Sequence, residues 1–128
     1  MFNCPPRLAN DITVLSQVYP LSYSDDFKWL TVRDFRLPPG FNYITTEILM
    51  EIPRDYPRTP IGVSNYVYLR PDLRFYGRRL KDLHDSVTPG WGYWAWFCYQ
   101  WIKWDPIRDD LVTLLEMIRT DLTNPKTV

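Results

Sequence analysis

The chain has 128 residues, 45% hydrophobic and 23% charged, which is enough for one packed core and too apolar for a disordered tail. Its 15 Lys+Arg balance 15 Asp+Glu, so no net charge draws it toward nucleic acid or an anionic membrane. Two cysteines, Cys4 and Cys98, and a single histidine, His84, exclude a disulfide scaffold and leave no ligand set for a metal. Met1-Phe2-Asn3-Cys4 lacks the basic start and apolar run of a secretory signal. The most apolar stretch, Trp91 to Ile102, is too short to span a bilayer. The expectation is one domain over 1–128 in the cytoplasm, without metal or organic cofactor.

Leu8, Ile12, Leu15 and Val18 recur three or four apart and predict a short helix, with Asn10 and Asp11 as capping types and Pro20 ending it. Ser22 to Asp26 reads as a polar turn, and Phe27 to Phe35 as a strand with Leu30 and Val32 on one face. Leu37-Pro38-Pro39-Gly40 is a turn by composition. Ile44 to Ile52 alternates, placing Ile44, Thr46, Ile48, Met50 and Ile52 opposite Thr45, Glu47, Leu49 and Glu51. Pro53 ends that strand, Asp55 to Pro60 is a proline-bracketed loop, and Val63 to Leu69 is a further strand.

Residues 70–90 hold Pro71, Gly77, Pro89 and Gly90 among five basic residues and read as one long irregular loop. Five of the six Trp lie between Trp91 and Trp104. Trp94, Trp96 and Cys98 alternate there with Tyr93, Phe97 and Tyr99, as in a strand covered on both sides. Leu111, Leu114, Leu115, Ile118 and Leu122 mark a second helix, capped by Asp105 with Pro106 behind it or by Asp109, and 123–128 reads as a frayed tail. Helices at the ends of a run of strands define an α+β fold: an N-terminal helix, an antiparallel meander of three to four strands, a long irregular loop and a C-terminal helix.

Three features carry a resemblance. Pro53-Arg54-Asp55-Tyr56-Pro57-Arg58-Thr59-Pro60 looks like the Pro-x-x-Tyr-Pro-x-x-Pro loop of ubiquitin-conjugating enzymes. Cys98 is followed by Trp104-Asp105-Pro106 and an amphipathic helix, as that superfamily's catalytic cysteine is followed by Trp-x-Pro. The order of elements agrees too. With Leu37-Pro38-Pro39-Gly40-Phe41 and Trp94-Ala95-Trp96-Phe97-Cys98, the chain resembles the small prokaryotic branch called family E over about residues 8–122.

The resemblance implies a UBC-like fold in which Cys98 accepts a ubiquitin-like protein as a thioester and passes it to an amine. It also implies an activating enzyme as partner, a deconjugating metalloprotease alongside, and Tyr56, Pro57, Pro60, Trp104 and Pro106 as the structural loops framing the site. The superfamily's His-Pro-Asn triplet is missing; its place falls at Arg70-Pro71-Asp72, 26 residues before Cys98. Asp72, a carboxylate, accepts hydrogen bonds and cannot donate one to an oxyanion.

Each candidate has more than one reading. Cys98 is a thiolate nucleophile or a small buried hydrophobe. Asp72 orients or deprotonates an attacking amine, or is a solvated turn residue. His84 is a proton carrier or an exposed loop histidine. Arg70, Arg74, Arg78 and Arg79 clamp an acidic partner or carboxyl tail, contact phosphates, or are simply solvated. The Trp cluster stacks bases or, preferably, packs the core, since nucleic-acid binders are usually basic. A catalytically inactive module that only binds a ubiquitin-like protein or partner enzyme is the alternative function.

Overall fold

The computed structural model describes residues 6–59, 66–86, 94–98 and 104–128; for Tyr66, Asp85, Ser86 and Cys98 it describes the backbone alone. Helix α1 spans Pro6–Ser16, with proline at its first position, where a missing N–H leaves nothing unsatisfied. It buries Leu8, Asp11, Ile12 and Leu15. The helix ends before Val18, which is 61% exposed and not on the inner face. Asp11 is no cap: it lies mid-helix and 4% exposed.

Strand β1, Leu21–Tyr23, forms where a turn is expected, because the chain reverses only at Ser24–Lys28. There Trp29 N–H donates to Ser24 Oγ, and Phe27 takes a positive φ of 55°. Strand β2, Trp29–Arg36, carries a bulge between Val32 and Phe35, with Asp34 at φ 56°. The extra residue shifts the alternation, so Leu30, Val32 and Phe35 all face the core although their spacing is uneven. Strand β3, Thr45–Glu51, buries Thr46, Ile48 and Met50 on that face. Ile44 precedes the ladder and is 74% exposed.

Strand β4 is Tyr66–Leu69, followed by the pair β5, Arg74–Phe75, and β6, Arg78–Arg79. Strand β7 is Leu83–Ser86 and β8 is Trp94–Cys98. Among the described residues one six-stranded sheet runs β1-β2-β3-β4-β8-β7, antiparallel at every pairing, and β5-β6 forms a separate hairpin. The α+β class and antiparallel order follow the sequence reading, with more strands than the three to four expected. The described part of the 70–90 stretch, 70–86, is not irregular: it holds the hairpin and an edge strand, anchored by buried Leu73, Leu80 and Leu83. Strands of two residues have no period to detect, and dense arginine hid the three leucines. Residues 87–90 lie outside the described residues.

Helix α2, Leu111–Thr123, buries Leu111, Leu114, Leu115, Ile118 and Leu122 as the spacing predicts. Its cap is Asp110, whose carboxylate accepts from Thr113 N–H at 2.9 Å, and neither Asp105 nor Asp109. Those two close a separate turn, in which Asp105 N–H donates to Asp109 Oδ2 and Ile107 N–H to Asp105 Oδ1. The tail is paired, not frayed: Lys81 N–H donates to Lys126 O and Val128 N–H to Arg79 O. Both helices share one core with the inner residues of the sheet, including Val67, Leu69, Ala95 and Phe97. Among the described residues no helix is long and apolar enough to cross a membrane.

Candidate functional site

Two proline-marked loops meet against the first half of α1. In the first, Tyr56 N–H donates to Pro53 O and Arg58 N–H to Asp55 O, the Tyr56–Pro57 peptide is cis, and Tyr56 is only 5% exposed. The buried phenol donates to Asp11 Oδ2 at 2.6 Å. Burial first, and then Asp11, raises the Tyr56 pKa well above the ordinary phenol value. In the second loop, Trp104 Nε1 donates to Pro57 O at 2.6 Å, with the Tyr56 and Trp104 rings 6.1 Å apart.

Arg7 ties α1 to the second loop. Its Nε donates to the Asp11 carboxylate at 3.1 Å, its Nη1 to Pro106 O at 2.7 Å, and its Nη2 to Asp109 O. Tyr56 thus meets a buried carboxylate, Asp11, and not a helix cap, while Trp104 bonds Pro57 and Pro106 bonds Arg7. A signal was available: position 11 falls on the Leu8–Ile12–Leu15 stripe, and an acid there demands a buried partner. Pro60 lies outside the described residues.

Cys98 ends β8, its backbone opposite Tyr66 of β4. Its side chain is not among the described groups. At the other end of the same ladder Leu69 faces Ala95, and the chain passes from there into Arg70-Pro71-Asp72. Three residues of strand separate those ends, roughly 10 Å at the usual rise. Asp72 and position 98 therefore stand at opposite ends.

Asp72 is also fully engaged. Arg70 Nε donates to its Oδ1 at 2.8 Å and Tyr43 OH to its Oδ2 at 2.5 Å, while the guanidinium stacks 3.9 Å over the Tyr43 ring. These bonds, Arg70 first, lower its pKa to about 2. It binds the 37–43 turn to the segment after β4, a role for which Tyr43 offered no sequence signal.

His84 lies nearer position 98. It pairs with Trp96 across β7–β8, with the rings stacked at 4.2 Å, and position 98 is two residues further along β8. Diagonal neighbours of this kind sit about 7–8 Å apart. Beside this end opens a hollow of about 320 Å³ lined by Asp82, Phe97, Thr120, Asp121, Asn124, Pro125 and Lys126.

The four arginines divide. Arg70 holds Asp72, Arg74 Nη1 donates to Pro71 O and Leu73 O, and Arg79 Nη2 reaches Leu83 O. Arg78 is exposed, on the hairpin. Among the described residues no group of three His, Cys, Asp or Glu could hold a metal ion.

An antiparallel sheet backed by two helices, with a Tyr-Pro loop and a Trp-Asp-Pro loop locked together beyond the strand that carries a cysteine, has the organisation of a UBC-like domain. A family model described as prokaryotic E2 family E matches residues 13–125, and the chain belongs to that family. No curated protein and no solved structure matches it. The family is E2-like, which ties the chain to ubiquitin-like conjugation and, in general, to ubiquitin-like proteins and activating enzymes as partners.

Proposed function

We propose that the chain is an acyl carrier of a prokaryotic ubiquitin-like conjugation pathway, in the cytoplasm, with Cys98 as acceptor. The observation that supports this best is the family match over 13–125 together with the bonds of Tyr56 to Asp11 and of Trp104 to Pro57, which hold the segment after β8 six residues beyond Cys98. The Cys98 thiolate attacks the carbonyl carbon of a thioester carried by the activating enzyme. A C–S bond forms at Cys98, the C–S bond to the donor cysteine breaks, and the departing thiolate takes up the proton Cys98 has lost. An acceptor amine then attacks the same carbon, forming a C–N bond and releasing Cys98.

His84, the diagonal neighbour of position 98, is the proton carrier for the amine on this reading. Asp72 serves as the anchor for Arg70 and Tyr43. A ubiquitin-like protein and an activating enzyme are the obligatory partners, and a deconjugating metalloprotease is the natural antagonist.

A second reading, a module that binds a ubiquitin-like protein without carrying it, is favoured by one observation. The position where an oxyanion donor is expected holds Asp72, a carboxylate with its pKa lowered to about 2. One experiment separates the two. The chain, in a Cys4→Ser background, is incubated with the cognate activating enzyme, ubiquitin-like protein and ATP, then run on non-reducing gels. Carrier function predicts an adduct that dithiothreitol cleaves, that Cys98→Ala abolishes, and that Cys98→Ser converts to a thiol-resistant oxyester. Binding without any adduct selects the second reading.

A further inference from the structure

The β5–β6 hairpin turns through Tyr76-Gly77, whose φ values are 49° and 77°. Two positive φ angles in a two-residue loop suit a type I′ turn, where Asn-Gly is the easiest sequence and a bulky side chain at the first position is strained. Tyr76 nevertheless stands there with 74% of its surface exposed, so burial does not explain it.

The turn is held firmly from beneath. Tyr76 N–H donates to Gly40 O at 2.8 Å, Asn42 N–H to Arg74 O, and Arg74 N–H to Asn42 Oδ1. The Phe75 ring packs 5.2 Å from Phe41 and edge-on to Tyr76 at 4.7 Å. On the opposite side Val128 N–H pairs with Arg79 O. An exposed aromatic ring on a clamped backbone loses little freedom when it meets a partner.

Charge indicates the partner. Residues 74–81 contain Arg74, Arg78, Arg79 and Lys81 and no carboxylate, and the nearby Asp72 is committed to Arg70 and Tyr43. Arg78, next to the turn, is exposed and makes no ion pair among the described residues. Tyr and Arg together are the residue types that dominate binding hot spots. A nucleic-acid strand would call for a longer basic track than a hairpin this short provides, on a chain with no net charge.

We propose that the hairpin tip, Tyr76 with Arg78, is a docking contact for an acidic polypeptide segment of a partner protein. This holds whether or not Cys98 carries an acyl group. The test is an amide-NMR titration of the full chain with a 12-residue alternating Glu-Gly peptide, with a Lys-Gly peptide and a 12-nucleotide dT strand as comparisons. The Glu-Gly peptide should shift the amides of residues 74–79, and Arg78→Glu and Tyr76→Asn should each weaken binding at least about fivefold. Tyr76→Asn should melt no lower than the parent, because asparagine takes the left-handed conformation readily.

Shifts centred away from the hairpin, tighter binding of the dT strand, or unchanged affinity in Arg78→Glu would each overturn the proposal. So would a clear fall in melting temperature for Tyr76→Asn, which would make the ring a folding element.

Discussion

The Tyr56 hydroxyl donates to the Asp11 carboxylate at 2.6 Å across 45 positions of sequence, and both residues are at most 5% exposed. This buried bond fastens the proline loop to the N-terminal helix. Removing a donor to a charged acceptor typically loses about 1.5–3 kcal/mol. Tyr56→Phe should therefore lower unfolding stability by about that amount in urea titrations, with little change in the denaturant slope.

The same pair makes a pH prediction. The folded state raises the Tyr56 pKa, so its contribution is fully present below the unfolded phenol value of about 10 and falls as pH rises above it. Wild-type stability minus that of Tyr56→Phe should be constant up to about pH 9 and shrink beyond pH 10. Urea midpoints of the two proteins measured at matched pH check it.

Gly40 has φ 108°, and a Cβ there would lie 2.5 Å from Phe75 Cε1 and 2.8 Å from Tyr76 Cε2. Gly40→Ala meets both a disfavoured backbone region and a steric overlap. A loss of at least about 1–2 kcal/mol is expected, with the hairpin amides losing hydrogen-exchange protection before the sheet does.

Asp110→Ala removes the acceptor for Thr113 N–H at the start of α2 and should lose about 1 kcal/mol, while Asp110→Asn should be nearly neutral. Thermal melts of the two variants distinguish a capping effect from a general charge effect.

Asp72 carries a pKa lowered to about 2 by Arg70 and Tyr43. A depressed carboxylate stabilises the fold above its unfolded pKa of about 3.9, and the contribution disappears as pH falls toward 2. With the Asp72 side chain 49% exposed, solvent screening keeps the effect below about 1 kcal/mol. Asp72→Asn should be slightly less stable than wild type at pH 7 and equal to it near pH 2, as followed by circular dichroism.

Legibility varied with the length of the element. The stripe of α2 and the alternation of β3 were plain because each extends over several repeats of its period. Strand β1, with three residues, and the two-residue strands of the hairpin fell below that threshold. Phe35 joined Val32 in the core only because a bulge at Asp34 resets the pleat. Trp104 and Tyr56 were recognisable as a pair through their motifs, whereas Arg7 and Asp11, which tie them to α1, carried no motif at all.

The amino-acid order alone determined the α+β class, the apolar faces of both helices, and the two proline loops that mark the family, since all of these are written in local spacing. Tertiary structure decided which charges meet. It buried Asp11 beneath Tyr56, set Asp72 and position 98 at opposite ends of the β4–β8 ladder, and brought His84 beside Trp96. Such relations depend on strand register, and register is chosen by the whole core burying its leucines and isoleucines together, not by any window of neighbouring residues.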